Sequence, residues 1–224
     1  MSLKLKKKLK KIIFMKSLVL LVFIFIMQNA FSQKADTIWF LNGERLITNK
    51  YSINEEEGIL TYYNKRDKKK MVGLEYVFSV IDSNNNEHIY FEPTTIGKRF
   101  YSVEDMRNFI KGEYMASQNY KSPFPFISGF ITGAGSVYAV PYLTGLNIFF
   151  SPLVPSANTA IIGTFNYKDD KIKRSYPDYA DNNYFIAGYK EVVVQKRIIN
   201  SIKGGLIGLG TGIVVAILIH NYVK

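Results

Sequence analysis

The stretch "KGGLIGLGTGIVVAILIH", Lys203 to His220, decides how the chain is to be read. It packs five glycines into the nine residues from Gly204 to Gly212 and then runs apolar to Ile219. Three structures would suit such a composition: a phosphate-cradling loop, a buried strand, or a helix in lipid. A dinucleotide loop needs G-x-G-x-x-G. Here Gly208-x-Gly210 is followed by Gly212, so the third glycine is misplaced. A Walker loop needs a lysine directly after its last glycine. Gly205 and Gly210 are correctly spaced, but Thr211 stands where that lysine must be, leaving no charge for the phosphates. Gly204, Gly208 and Gly212 instead recur at i, i+4 and i+8, on one face of a helix. That small-xxx-small pattern lets membrane helices approach closely. Residues 201–220 are therefore expected to form a glycine-zipper transmembrane helix, with Lys203 as an anchor whose ammonium reaches the interface.

A longer apolar run lies upstream. From Ser122 to Tyr167, 46 residues pass without one charged side chain. A membrane-crossing helix needs roughly 20. Pro141, Pro152 and Pro155 exclude a single straight helix through 122–167. The run reads either as one crossing near Pro125–Tyr142 followed by a broken or re-entrant piece up to Phe165, or as a helical hairpin. Gly129 and Gly133 repeat the four-residue glycine spacing and are expected to meet the C-terminal glycine face. Between the two apolar segments, 168–200 reads as a basic polar loop and an amphipathic helix. It carries Lys168, Lys171, Lys173, Arg174, Lys190, Lys196 and Arg197, with Lys203 just beyond. Positive residues favour the cytoplasmic side. With an exported N-terminal domain, that favours an odd number of crossings in 122–167.

The formal charge of +11 is unevenly placed. Residues 1–32 hold seven lysines and no acid, whereas 33–123 hold 13 basic and 13 acidic residues. A nucleic-acid binder needs a basic face on its folded domain, so no nucleic acid is expected. The absence of cysteine excludes disulfides, thiolate metal sites, cysteine nucleophiles and an N-terminal lipid-modified cysteine. "MKSLVLLVFIFIMQNAFSQ", from Met15, has a lysine, an apolar core from Leu18 to Met27, and Ala30 and Ser32 before Gln33. Residues 1–32 thus read as a signal peptide whose natural start is Met15. The rival reading is an uncleaved anchor, and both deliver Gln33 onward across a membrane.

Residues 33–121 read as a β-rich periplasmic domain. Asn42-Gly43 interrupts "DTIWFLNGERLITNKY" as a hairpin turn. Strand-like runs follow at 58–64, 70–82 and 87–93, separated by polar turn clusters. A helix over 102–118 starts at Ser102 with Asp105 three residues on, and Val103, Met106, Phe109 and Ile110 share one side. It is expected to cover one face of the sheet. The fold class is α+β: a small antiparallel β domain with one covering helix, then glycine-rich transmembrane helices.

A leader ending in "FSQ" followed by "DTIWFLNGERL" resembles the opening of a group of uncharacterised cell-envelope proteins of Bacteroidota-type bacteria. "FIKGEYMA", "SPLVPSA" and "GYKEVVVQKRIINSIKGGLIGLGTG" resemble later stretches of that group, whose members end in glycine-rich apolar segments. The resemblance covers most of residues 33–215. It implies a Gram-negative envelope location and no particular reaction.

Catalytic chemistry finds no footing in the residue pattern. His88 falls in a strand and reads as exposed, His220 stands at a membrane exit, and Asp169-Asp170 reads as solvated surface. Consecutive Glu55–Glu57 in a turn point in different directions. No cofactor and no metal are expected. The chain is expected to be a non-catalytic, membrane-anchored envelope scaffold, favouring the inner membrane. Its expected partners are membrane lipid and either another protein or a second copy packed through the glycine faces. The alternative is an accessory or pore-forming subunit of an envelope transport or secretion complex.

Overall fold

The computed structural model describes residues 35–64, 66–97 and 99–222. The leader, residues 1–32, lies outside the described residues. The fold is α+β, with antiparallel sheets first and helices after.

Strands β1 (Asp36–Phe40) and β2 (Arg45–Thr48) form the hairpin announced by Asn42-Gly43. Gly43 takes φ +72°, and the Asn42 side chain accepts from the Glu44 amide at 3.0 Å. β3 (Tyr51–Asn54), β4 (Ile59–Tyr63) and β5 (Lys69–Gly73) make a second antiparallel sheet in that order. The run 70–82, read from sequence as one strand, is broken by a 3-10 turn at Leu74–Tyr76. That turn sends β6 (Val77–Ile81) back to the first sheet, whose order is β2-β1-β6-β7, with β7 at Glu87–Ile89. β8 (Thr94–Ile96) and β9 (Arg99–Tyr101) form a ribbon.

Helix α1 (Val103–Asn119) opens with a complete capping box between Ser102 and Asp105. Each side of the first sheet buries a different cluster. Ile38, Phe40, Val77 and Val80 meet Leu60 of the second sheet. Phe78, Phe91 and Tyr101 meet Met106 and Ile110 of α1. Alternating residues point to opposite faces of a strand. The unbroken apolar character of β6 is therefore the signature of a strand covered on both sides, and Val77 and Phe78 are each about 1 % exposed. A fully buried side chain of this size contributes roughly 1.5–3 kcal/mol. The head is thus three layers, sheet on sheet on helix, one more than the sequence reading supplied.

Beyond the head come α2 (Phe124–Thr144), α3 (Leu153–Thr164), the short α4 (Asp169–Ser175) and α5 (Asn183–Tyr222). α5 is 40 residues long, about 60 Å at 1.5 Å per residue. It has no break near residue 200, where the sequence suggested an amphipathic helix giving way to a membrane helix. Its first half packs on α1, and Phe185, Ile186, Tyr189 and Val193 are buried there with Ala116 and Ile172. Its second half packs on α2 and α3. Two helices, α2 and α5, are long and apolar enough to cross a membrane.

Candidate functional site

The five glycines singled out in the sequence come together. A Cβ at Gly204, Gly208 or Gly212 would run into the backbone carbonyl of Phe126, Phe130 or Ala134, in that order. In the other direction, Gly129 and Gly133 press on the carbonyls of Ser201 and Gly205. Numbers rise together on the two helices, so α2 and α5 run parallel. Where a side chain would collide, the glycine Cα–H points at a carbonyl oxygen, a weak hydrogen bond of about 0.5–1 kcal/mol. The faces expected to recruit a second copy are therefore filled within one chain. The same device recurs in the head, where sequence reading missed it: Gly112 abuts the Phe185 carbonyl, and Gly188 the Phe109 carbonyl.

α3 runs the other way. Pro155 lies against Gly205, Gly163 against Ile198, and the Phe165 carbonyl accepts from Arg197 at 2.7 Å. The chain from Ile148 to Thr164 therefore returns toward the end of α5 that carries the head. If α2 and α5 both cross a bilayer, residues 122–167 cross it an even number of times, where the sequence reading favoured an odd number. The parallel register of α2 and α5 places the basic segment at the same end of the bundle as the β domain, so a bilayer crossed by α2 and α5 cannot separate them.

At that end three helix termini meet α5. The last carbonyls of a helix lack intrahelical partners. Lys196 Nζ donates to three at the end of α1: Ala116 at 3.1 Å, Tyr120 at 3.2 Å, and Ser117. Arg197 donates to the Tyr120 hydroxyl at 2.9 Å and to the end of α3 through Phe165, and its guanidinium lies over the Tyr167 ring. Tyr120, Tyr167, Tyr176 and Tyr189 surround this collar. Burial, with Tyr176 and Tyr167 beside it, raises the Tyr189 hydroxyl above the usual tyrosine range. Lys203 is exposed nearly two turns along α5 from the collar.

Below the collar, Asn158 joins the three helices. Its carbonyl accepts from Ser128 at 2.9 Å, its amide donates to Ser201 at 3.2 Å, and Thr159 bonds the same serine at 2.9 Å. The outward surface is apolar, with Ile131 and Leu206 each about two-thirds exposed. In the head, Glu113 is 5 % exposed beneath the Gly43 turn, and its Oε2 has no hydrogen-bond partner among the described residues. Burial first, then the charge of Glu191, pushes its carboxyl up to about 8. His88 is exposed, as read from sequence. Asp169 and Asp170 are exposed, as read from sequence, and Asp169 also pairs with Lys190 at 2.8 Å.

No family model, curated protein or solved structure matches the chain.

Proposed function

We propose that the chain is a non-catalytic, membrane-anchored envelope protein that holds an exported β/α head rigidly at a bilayer surface and presents it to a protein partner or wall component. The observation that carries this reading is the continuity of α5, whose first half is part of the head's core and whose second half is the apolar rod. A flexible tether would let the head search space; one unbroken helix fixes its height and tilt. The resemblance to Bacteroidota-type envelope proteins supports a Gram-negative envelope location. A leader that exports residue 33 puts both head and collar on the periplasmic side of the inner membrane. The basic residues then lie opposite to where the positive-inside rule would put them. Three of the eight are held there by the fold: Lys196 and Arg197 bond helix-end carbonyls, and Lys190 pairs with Asp169.

The pore reading is less well supported. The polar groups of α3 that would line a path are engaged by Ser128 and Ser201 of the same chain. Flux assays on liposomes carrying the purified protein discriminate, since a scaffold gives none.

The chain's lack of cysteine makes the topology directly testable by single replacements. A membrane-impermeant maleimide applied to spheroplasts is expected to label Asn84→Cys and Lys168→Cys alike, and Leu146→Cys only after lysis. Labelling of Asn84→Cys with Lys168→Cys shielded would sink the shared-side arrangement. Release of the protein by alkaline carbonate would sink the membrane anchor itself.

A further inference from the structure

The α1–α2 joint and α5 enclose a groove of about 610 Å³ at the collar. Lys121, Lys196 and Lys203 line it together with Ser122 and Asn200, and no carboxylate is among its lining residues. Lys196 is fixed in place by the α1 carbonyls. Burial first, then the charge of Lys121, holds its ammonium below the usual lysine range. Lys121 and Lys203 are exposed, so their long side chains can close on an occupant. Ser122 and Asn200 bring neutral hydrogen-bond donors. α2 starts at the rim with no acid in its first turn, so nothing there offsets the lysines. On its membrane side the groove passes directly into apolar surface, with Ile199, Ile202 and Phe124 all exposed. The site is cationic along one edge and hydrocarbon along the other, at the level where the uncharged run begins.

We propose that this groove binds the phosphate headgroup of an anionic phospholipid, whose acyl chains lie along the exposed side chains of α2 and α5. The proposal rests on the membrane-anchored reading above. Two exposed lysines, Lys121 and Lys203, with the charge of carbonyl-bound Lys196 behind them and no carboxylate in the lining, select an anion, and the adjoining apolar surface selects a lipid over free phosphate.

The full chain, purified and placed in phosphatidylcholine nanodiscs with or without phosphatidylglycerol, is assayed for retained lipid by native mass spectrometry. Preferential retention of phosphatidylglycerol is expected, weakening as salt rises. Lys121→Gln/Lys203→Gln should lower the preference roughly tenfold or more, the scale of two lysines at an anionic surface. Lys121→Arg/Lys203→Arg should keep it, and Lys168→Gln, outside the groove, should not alter it. Circular dichroism checks that each variant folds, and the salt dependence of the wild-type protein stands even if one does not. Equal retention of the two lipids, or displacement of phosphatidylglycerol by millimolar inorganic phosphate, would overturn the proposal and leave the anchor intact. Failure of the wild-type chain to enter nanodiscs of either composition would overturn both.

Discussion

Gly208 of α5 lies against the carbonyl oxygen of Phe130 of α2, with the Ala134 amide nitrogen 2.9 Å from where a Cβ would stand. The obstacles are backbone atoms, which cannot rotate away as a side chain could. Gly208→Leu is expected to force the two helices apart and to cost about 1–3 kcal/mol or more, the range typical of overpacking. Gly210, two residues on, has nothing within 4 Å of its Cβ position. Gly210→Ala should leave the bundle intact and slightly favour the helix. Thermal unfolding in detergent compares the two variants. Equal stability would mean that the glycine face does not set the helix separation.

Lys196→Met should be among the most harmful single changes in the collar. It keeps the aliphatic stem and removes the donors to three carbonyls. Hydrogen bonds to charged groups contribute roughly 1.5–3 kcal/mol each, and the bonds here share one ammonium, so a loss of about 2–3 kcal/mol in total is expected. Hydrogen exchange should show faster opening of residues 116–120 before any change in α5.

Glu113 should make stability fall as pH rises. Its carboxyl is held at about 8 when folded, against 4.5 for a glutamate free of such surroundings. Between those values the folded chain binds a proton that the unfolded chain has released. Stability is therefore fully present below about 4.5 and is lost as pH climbs through 8. Glu113→Gln keeps the neutral shape and should flatten this dependence. Denaturant titrations at pH 5 and pH 8.5 measure it, and an unchanged slope in the variant would refute the assignment.

Asn158→Ala should loosen α3 from both neighbours by about 0.6–2 kcal/mol, the measured span for hydrogen bonds between membrane helices. Limited proteolysis in the 145–165 segment should accelerate while cleavage within α5 does not. Ser201→Ala should produce an effect of similar size, because it removes the bonds to both Asn158 and Thr159 while Asn158 keeps its bond to Ser128.

Patterns confined to one element were legible in the sequence. The Ser102–Asp105 cap, the Asn42-Gly43 turn and the four-residue glycine spacing each depend on local geometry, and each is found in the fold. What eluded the reading depends on which elements meet. The second sheet over Val77 and Val80 could not be inferred from strand periodicity, because β6 looks the same whether buried by sheet or helix. Counting Lys196 and Arg197 as loop charge for the positive-inside rule missed that helix-end carbonyls hold both. Gly112 and Gly188 went unnoticed because neither belongs to a four-residue glycine repeat, Gly112 being the single glycine of α1 and Gly188 standing well before the glycine run of α5, and only their contacts across the α1–α5 pair make them related. Asn158 offered a signal, the single amide side chain of α3 within an uncharged run, that points to a polar joint between helices.

α5 also has a mechanical consequence. With one end in the head's core and the other near the far limit of the apolar zone, it behaves as a lever pivoting at the collar. A tilt of about 10° about the collar sweeps the far end, roughly 38 Å away at 1.5 Å per residue, through about 6–7 Å. Force applied to the β layers by a bound partner would thus register as motion on the opposite side of the bilayer, with no hinge to absorb it.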